Sequence, residues 1–430
     1  MTIHRRGFMV ATAAVGAALA APAIHGAHRG RGYRTALLGS GWWGMNIARE
    51  AIASGQCSVS ALCDADENQL VPAAAEVETV TGRAPKRYQD YRELLEREKP
   101  EIVIVGSPDH WHPLMTIDAV QAGAHVYVEK PISHTILEGL AMVQAARAAD
   151  RVVQVGTHRR ASPHNISAMQ FLRDGKAGKI GCVRAFVHYG GGPGEVTPDS
   201  DPPAGLDWNL WCGPAPLRPY NKRIHPKGFR RFLDYANGQL GDWGIHWMDQ
   251  ILWWSEEKWP KRVASFASRR ILRDNTDAPD TQLVIYDFDS FNVAWEHRLY
   301  AANEAEKHNV GCYFYGTEGT LHLGWLDGWT FYPRKKGAQV IHQEPQLHAP
   351  DHQNIAELFA DFLDAIRTGR RPMCDIEVGH RSTNMSLLGM LSWRLGRSVQ
   401  WDGERTQVVG DDEANRLLRR DYRKPWEYPV

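Results

Sequence analysis

Thr35-Ala36-Leu37-Leu38-Gly39-Ser40-Gly41-Trp42-Trp43-Gly44 is the stretch that decides the fold. A short apolar run feeds a G-x-G-x-x-G loop, and a helical pattern opens near Trp43. A glycine triplet alone is weak evidence, and the order of what surrounds it carries the weight. A second apolar run, Val59-Ser60-Ala61-Leu62-Cys63, ends at Asp64, 20 residues beyond Gly44. Strand, glycines, helix, strand and terminal acid then follow in the sequence of a dinucleotide-binding unit. Gly39, Ser40, Gly41, Trp42, Trp43 and Gly44 are expected to let the backbone approach a pyrophosphate, with the positive end of the helix behind it. Asp64 would accept hydrogen bonds from ribose hydroxyls. Its charge would repel a 2′-phosphate and no arginine follows it closely, so NAD is expected over NADP.

Further along, apolar runs alternate with helical patterns, as in a doubly wound parallel sheet. Ligands sit at the carboxyl ends of such strands. Ile102 to Val105 ends in Gly106-Ser107-Pro108-Asp109-His110-Trp111-His112, which nominates Ser107, Pro108, His110 and His112. His125 to Val128 ends in Glu129-Lys130-Pro131, and Thr135-Ile136-Leu137-Glu138 reads as a capping box that opens the next helix. Glu129 and Lys130 therefore belong to a loop at the mouth of the sheet. Val152 to Val155 leads to Gly156-Thr157-His158, where the chain should pass to a second domain. The expected division is an N-terminal segment 1–30, a nucleotide domain 31–157 and an α+β domain 158–430.

The N-terminal segment reads as a twin-arginine export signal. Arg5-Arg6-Gly7-Phe8 precedes an uncharged, alanine-rich stretch from Val10 to Ala23. That stretch is too short and too alanine-rich to span a bilayer, which needs about 20 strongly apolar residues. A periplasmic or other extracytoplasmic destination and an encounter with the twin-arginine machinery are expected, with no membrane insertion. Lys+Arg and Asp+Glu both number 50, so no global field favours nucleic acid or anionic lipid. The six cysteines show no metal-ligand spacing, and no metal is expected. Export in the folded state from a reducing cytoplasm favours free, buried thiols.

Past residue 158 the pattern changes. Alternating runs at 282–287 and 291–299, and again around Gly316-Thr317-Glu318-Gly319, read as antiparallel hairpins. Ile355, Leu358, Phe359, Phe362, Leu363 and Ile366 recur at helical spacing and stop at Gly369, a helix expected to return onto the nucleotide domain. Of the 16 tryptophans several lie between Trp208 and Trp254, and Trp208 is a candidate sugar-stacking wall. Within Gly241-Asp242-Trp243-Gly244-Ile245-His246-Trp247-Met248-Asp249-Gln250, a helix would put Asp242 and His246 one turn apart, on a face shared with Asp249 and Gln250. A carboxylate beside an imidazole can hold a diol and take its proton, since the ordinary imidazole pKa is near 6.5. A solvated surface pair has the same spacing, but flanking glycines and tryptophans are foreign to a solvated face.

These residues together resemble the Gfo/Idh/MocA family, from about Tyr33 to the C-terminus. The markers are Gly39 to Gly44, Glu129-Lys130-Pro131 and the Asp242/His246 pair. Gly379-His380-Arg381-Ser382 and Asp207-Trp208-Asn209-Leu210-Trp211 are similar to an exported subgroup. The resemblance implies an α/β fold: a Rossmann domain plus an α+β domain with an open-faced, mainly antiparallel sheet that forms homo-oligomers. It implies that Lys130 touches the nicotinamide ribose and the reacting hydroxyl, that Asp242 positions substrate and that His246 is the acid/base. It also implies a cis Lys130–Pro131 peptide. His158 stands where many relatives carry glutamine, and is taken as a substrate-side residue.

The function expected is oxidation of a hydroxyl on a sugar, glycoside or cyclitol, with tightly held NAD recycled in place because export leaves no dissolved nicotinamide pool. Redox-neutral glycoside cleavage through a transient 3-keto sugar is the alternative. A non-catalytic binding protein is a third reading, disfavoured by the intact lysine, aspartate and histidine.

Overall fold

The computed structural model describes residues 32–303, 305–347 and 353–429. The export segment expected at 1–30 lies outside the described residues. Strands β1 (Tyr33–Leu38), β2 (Cys57–Cys63), β3 (Lys86–Tyr88), β4 (Ile102–Val105), β5 (His125–Val128) and β6 (Val153–Val155) form one sheet in the order β3-β2-β1-β4-β5-β6. Each neighbouring pair is parallel. All four residues of β4 are buried, because a parallel sheet covered by helices on both faces needs continuous apolar strands. That is why Ile102-Val103-Ile104-Val105 lacks alternation. Local signals start the helices. Asp66 accepts from the Asn68 amide, Asp90 from the Arg92 amide, and the Thr135/Glu138 capping box opens Ile136–Ala148.

The second sheet contains β7 (Ile180–His188), β8 (Arg262–Ser268), β9 (Thr281–Asp287), β10 (Asn292–Arg298), β11 (Val310–Gly316), β12 (Gly319–Gly324), β13 (Trp329–Pro333), β14 (Ile341–Gln343), β15 (Val399–Asp402) and β16 (Gln407–Val408). Its order is β14-β13-β12-β11-β7-β10-β9-β8-β15-β16. Only the β7–β10 pairing is parallel, so the sheet is mixed and mostly antiparallel. Alternation sorts its faces. Val183, Ala185, Val293, Trp295, Cys312, Phe314, Leu321 and Leu323 point into a core shared with the helices Pro163–Arg173, Ile245–Ser255 and Ile376–Leu395. On the other face Phe266 is 79 % exposed, and Leu283 and Ile285 are about half exposed.

Two features join the halves. The helix Ile355–Thr368, ended by left-handed Gly369, sets Phe359 and Phe362 against Tyr127 of β5. The helix Ile376–Leu395 starts beside β6. A methyl group on Gly379 would lie 2.5 Å from Val155, Gly139 has room only for the His380 ring, and Ser382 bonds Asp249 at 2.7 Å. Gly379-His380-Arg381-Ser382 is therefore a packing motif at the junction. The six cysteines are unpaired. No helix among the described residues is long and apolar enough to cross a membrane.

Between β7 and the helix Ile245–Ser255 the chain makes a long excursion with its own small core, including Trp208, Trp211, Phe229, Phe232 and Tyr235. It docks at the carboxyl end of β2. The Asp207 amide donates to the Ala65 carbonyl at 2.9 Å, the Glu67 amide to Gly205 at 2.9 Å, and His225 lies 2.8 Å from the Asp66 carboxylate.

Candidate active site

The docked excursion roofs a cleft of about 670 Å³ at the carboxyl ends of the parallel strands. Its floor is the glycine loop. Gly39 has φ +91°, and a Cβ there would sit 2.5 Å from the Ser107 amide nitrogen, so only glycine closes this turn. Gly41 has nothing within 4 Å of a would-be Cβ and faces the cleft, leaving backbone open to a ligand. Asp64 stands at the end of β2 and accepts from the Ser40 amide at 2.8 Å and the Asp66 amide at 3.0 Å. Burial raises its pKa, partly offset by these amides. An uncovered glycine beside a helix start, with a strand-end carboxylate within the same cleft, fits a dinucleotide.

At the inner end Lys130, whose peptide to Pro131 is cis, reaches across to the second domain. Its Nζ donates to Asp242 Oδ1 at 3.0 Å and to the Asp242 carbonyl at 2.8 Å. Arg230 donates to the same Oδ1 at 3.2 Å. Burial works against the Asp242 charge, but Lys130 and Arg230 outweigh it and hold the carboxyl below its ordinary range. His246 is buried against Trp325, with ring centroids 4.8 Å apart, and its Nδ1 has no hydrogen-bond partner among the described residues. Burial, then the Lys130 charge, lowers its pKa well below the ordinary imidazole value, so it is neutral. His158 packs 5.3 Å from His246 and is likewise held neutral by burial and by Arg159. Burial raises Glu129 and Asp109 to about 7 against the pull of Lys130 and Arg230. A cation, a carboxylate and a neutral base thus converge beside the nucleotide cleft.

The local backbone differs from the expected helix. Leu240–Gly244 is a π-helical turn, and the α-helix begins at Ile245. Such wide turns recur at functional sites. Asp249 is tied to Arg160 at 2.8 Å and Gln250 to Asn165, both inside the packed core. They do not share the cleft with Asp242 and His246.

Of the expected residues, Gly39, Gly41, Trp42, Trp43, Asp64, Ser107, Pro108, His112, Glu129, Lys130, His158, Asp242 and His246 line the cleft. Four stand behind it. Ser40 turns onto Asp64, and Gly44 packs where a Cβ would meet the Gly39 carbonyl at 2.0 Å. His110 bonds the Trp211 carbonyl at 3.0 Å. Trp208 stacks on Trp211 at 4.6 Å, and its indole nitrogen donates to the Arg218 carbonyl. The wall is Trp211; Trp208 braces it. Unforeseen lining residues are Asp109, Lys227, Arg230, Trp243 and Trp325. Trp243 and Asp109 lay inside quoted motifs. Arg230 lies on a single 3-10 turn, Gly228–Arg231, and Trp325 on a bend, both too short to carry a periodic signal.

Fold and cleft define a two-domain Rossmann protein whose nucleotide site is closed by its second domain. The chain belongs to the Gfo/Idh/MocA oxidoreductase family. Residues 33–157 match its NAD-binding Rossmann fold, and residues 186–321 with 334–428 match its C-terminal alpha/beta domain. The N-terminal domain is thus an NAD-binding domain. Among relatives, inositol 2-dehydrogenase 2 of Saccharopolyspora erythraea is 31 % identical over 38 % of this chain and 47 % of its own length. A glycosyl hydrolase family 109 protein of Stenotrophomonas maltophilia is 35 % identical over 30 % and 29 %. The chain therefore matches under half the length of either relative. Levoglucosan dehydrogenase in complex with NADH and levoglucosan shares the fold at TM-score 0.67 and 17 % identity, over 86 % of this chain and 99 % of that one. Aldose-aldose oxidoreductase from Caulobacter crescentus does so at 0.64 and 21 %, over 86 % and 100 %.

Proposed function

We propose that the protein oxidises a hydroxyl of a sugar, glycoside or cyclitol and retains its NAD through the cycle. The observation that carries this reading is the neutral, buried His246 beside the Lys130–Asp242 pair at the inner end of the cleft. Gly39, Gly41 and Asp64 would hold the nucleotide, and Lys130 would contact both nucleotide and substrate. Bound NAD supplies the acceptor for the hydride of the carbinol carbon. His246 takes the hydroxyl proton, for which an imidazole must begin unprotonated. The Lys130 ammonium lowers the cost of charge developing on that oxygen, and Asp242 accepts from a neighbouring hydroxyl and fixes the ring. Trp43, Trp243 and Trp325 offer apolar faces to the sugar ring. The relatives named for inositol, levoglucosan and aldoses support a polyol substrate. The roof over the cleft, with Lys227 Nζ 5.9 Å from the Trp42 ring, supports cofactor retention.

Denaturing the purified protein should release NAD, and aldoses, inositols or glycosides added to the native enzyme should produce bound reduced nicotinamide. A protein free of nucleotide that reduces none with any polyol would overturn the assignment. Many-turnover release of the aglycone from a chromogenic glycoside, without added acceptor, would replace it with glycoside cleavage.

Arg5-Arg6 and the uncharged stretch after them support twin-arginine export to the periplasm. Replacing both arginines by lysine should leave the protein in the cytosol, and unchanged export would refute the route. The exposed Phe266, Leu283 and Ile285 on the uncovered sheet face support a homo-oligomer. A monomer by light scattering would refute it.

A further inference from the structure

We propose that the segment 418–428 is a strap that holds the roof over the nucleotide cleft, with Arg420 and Arg423 as positioning residues for cofactor retention. The inference rests on the reading that the cleft keeps its NAD through the cycle. Among the described residues no helix or strand follows Arg416, so individual contacts rather than a backbone ladder place this segment.

Arg420 is the central tie. Its Nε donates to Glu138 Oε1 at 2.8 Å, and the two side chains are only 14 % and 0 % exposed. The other two nitrogens reach apart. Nη2 donates to the His110 carbonyl at 3.2 Å, in the loop after β4, and Nη1 to the Asp234 carbonyl at 3.3 Å, in the excursion. Glu138 Oε2 accepts from the His134 and Thr135 amides at 2.9 and 2.7 Å, which closes the loop that begins at Lys130. One guanidinium therefore joins three segments that each supply a cleft residue: Ser107, Lys130 and Trp211. A lysine would match the charge of Glu138 but lacks the planar fork that serves three acceptors at once.

Arg423 grips the roof alone. Its Nε lies 3.1 Å from the Gly213 and Ala215 carbonyls, Nη1 donates to Asn209 Oδ1 at 2.7 Å and Nη2 to the Asn209 carbonyl at 2.8 Å. Its own amide donates to the Pro214 carbonyl at 2.9 Å. These acceptors flank Trp211, the wall of the cleft. The segment then returns to the nucleotide domain. Trp426 meets Trp111 edge-on at 4.8 Å and lies under the Arg92 guanidinium at 4.4 Å, and the Tyr428 hydroxyl is 3.1 Å from Thr135 Oγ1. Contacts thus alternate between nucleotide domain and roof along the segment. Packing that merely filled a gap would call for apolar side chains, whereas here two cations are spent on backbone carbonyls of an irregular excursion.

The test compares wild-type holoenzyme with Arg423→Ala and Arg420→Lys. Arg423→Ala leaves the contacts of the nucleotide domain in place. It should speed NAD release in stopped-flow displacement roughly tenfold or more, as expected when hydrogen bonds to a charged group are lost. Amide hydrogen exchange across 208–235 should quicken, and NAD should raise Tm by less than in wild type. Arg420→Lys keeps a cation beside Glu138 and should show the same changes. The Tm of the nucleotide-free protein reports a merely structural role. A variant that lowers this Tm yet releases NAD at the wild-type rate would overturn the proposal, as would Arg420→Lys behaving as wild type. Unchanged exchange across 208–235 in Arg423→Ala would do so too. A wild-type protein that binds no NAD would refute the functional reading, and the exchange comparison would still decide whether the strap holds the roof.

Discussion

His246 and Lys130 are one residue each, yet they set opposite conditions on each other. The ammonium helps keep the imidazole neutral, and the carboxylate of Asp242 keeps the ammonium in place. His246→Ala should lower kcat/KM by about 10²–10⁴ with nucleotide content unchanged, the range expected for a general base. Lys130→Ala should lower it comparably. Wild-type turnover in either variant would remove that residue from the chemistry. The pH profile follows from sign. Because burial lowers the His246 pKa, its neutral form persists at pH values where a free imidazole is protonated. The acid limb of kcat/KM should therefore fall below the ordinary value of about 6.5. A limb at or above that value would contradict the buried geometry. At this scale the motifs were informative where chemistry dictates residue type: Lys130, Asp242 and His246 share one cleft. They misled where chemistry is ambiguous. Indole serves as wall or as packing, and only the stack on Trp211 distinguishes the role of Trp208.

Among elements, the excursion from β7 decides whether the cleft has a roof. Most of its polar contacts with the nucleotide domain involve backbone, such as the Trp211 carbonyl that meets His110 and Trp111, whereas the buried His225–Asp66 pair joins two side chains across the junction. His225→Ala leaves one carboxylate oxygen of Asp66 without its partner, a loss of about 1–3 kcal/mol. If that loss falls on docking rather than on the whole fold, NAD should dissociate roughly ten to a hundred times faster, at about 1.4 kcal/mol per tenfold. Stopped-flow displacement of the bound nucleotide would measure it, and an unchanged off-rate would mean that the roof is held elsewhere. The excursion also shows why elements differ in legibility. β1, β2, β4 and β5 announce themselves, because both faces of a parallel sheet are buried and each strand is apolar toward its carboxyl end, β4 throughout. The hairpin β9–β10 is legible from alternation. The excursion has neither period, since its core is a handful of aromatics brought together by turns. The π-turn at Leu240–Gly244 is equally silent, because sequence spacing alone does not separate it from an α-helix.

For the whole molecule, the histidines act collectively. His110, His112, His246 and His380 are buried in the cleft wall or at the domain junction, and burial lowers every one of their pKa values. Burial puts His110 at about 3, and His112 and His380 at about 4. His297, under the second sheet, is also lowered to about 4 by burial. In the unfolded chain each would titrate near the ordinary value of about 6.5. As pH falls below that value, the unfolded chain takes up protons that the folded protein refuses, so stability is lost on acidification. The loss begins near pH 6.5 and continues toward about pH 4, where the folded histidines begin to accept protons in turn. Above about pH 7 these groups are neutral in both states and contribute no slope. A paired carboxylate such as Asp242 adds a further loss only at lower pH, because its pKa is held below the ordinary carboxylate range. Glu129 and Asp109, raised by burial to about 7, oppose this slope, because the folded protein keeps their protons up to about neutrality while the unfolded chain has released them. The five histidines outnumber these two carboxyls, so Tm measured by calorimetry should fall on balance from about pH 6.5 toward about pH 4. His380→Gln, which removes one titrating group at the junction, should flatten that slope even if it lowers Tm at neutral pH. A Tm that stays constant from neutrality down to about pH 4 would show that these imidazoles are solvated rather than buried.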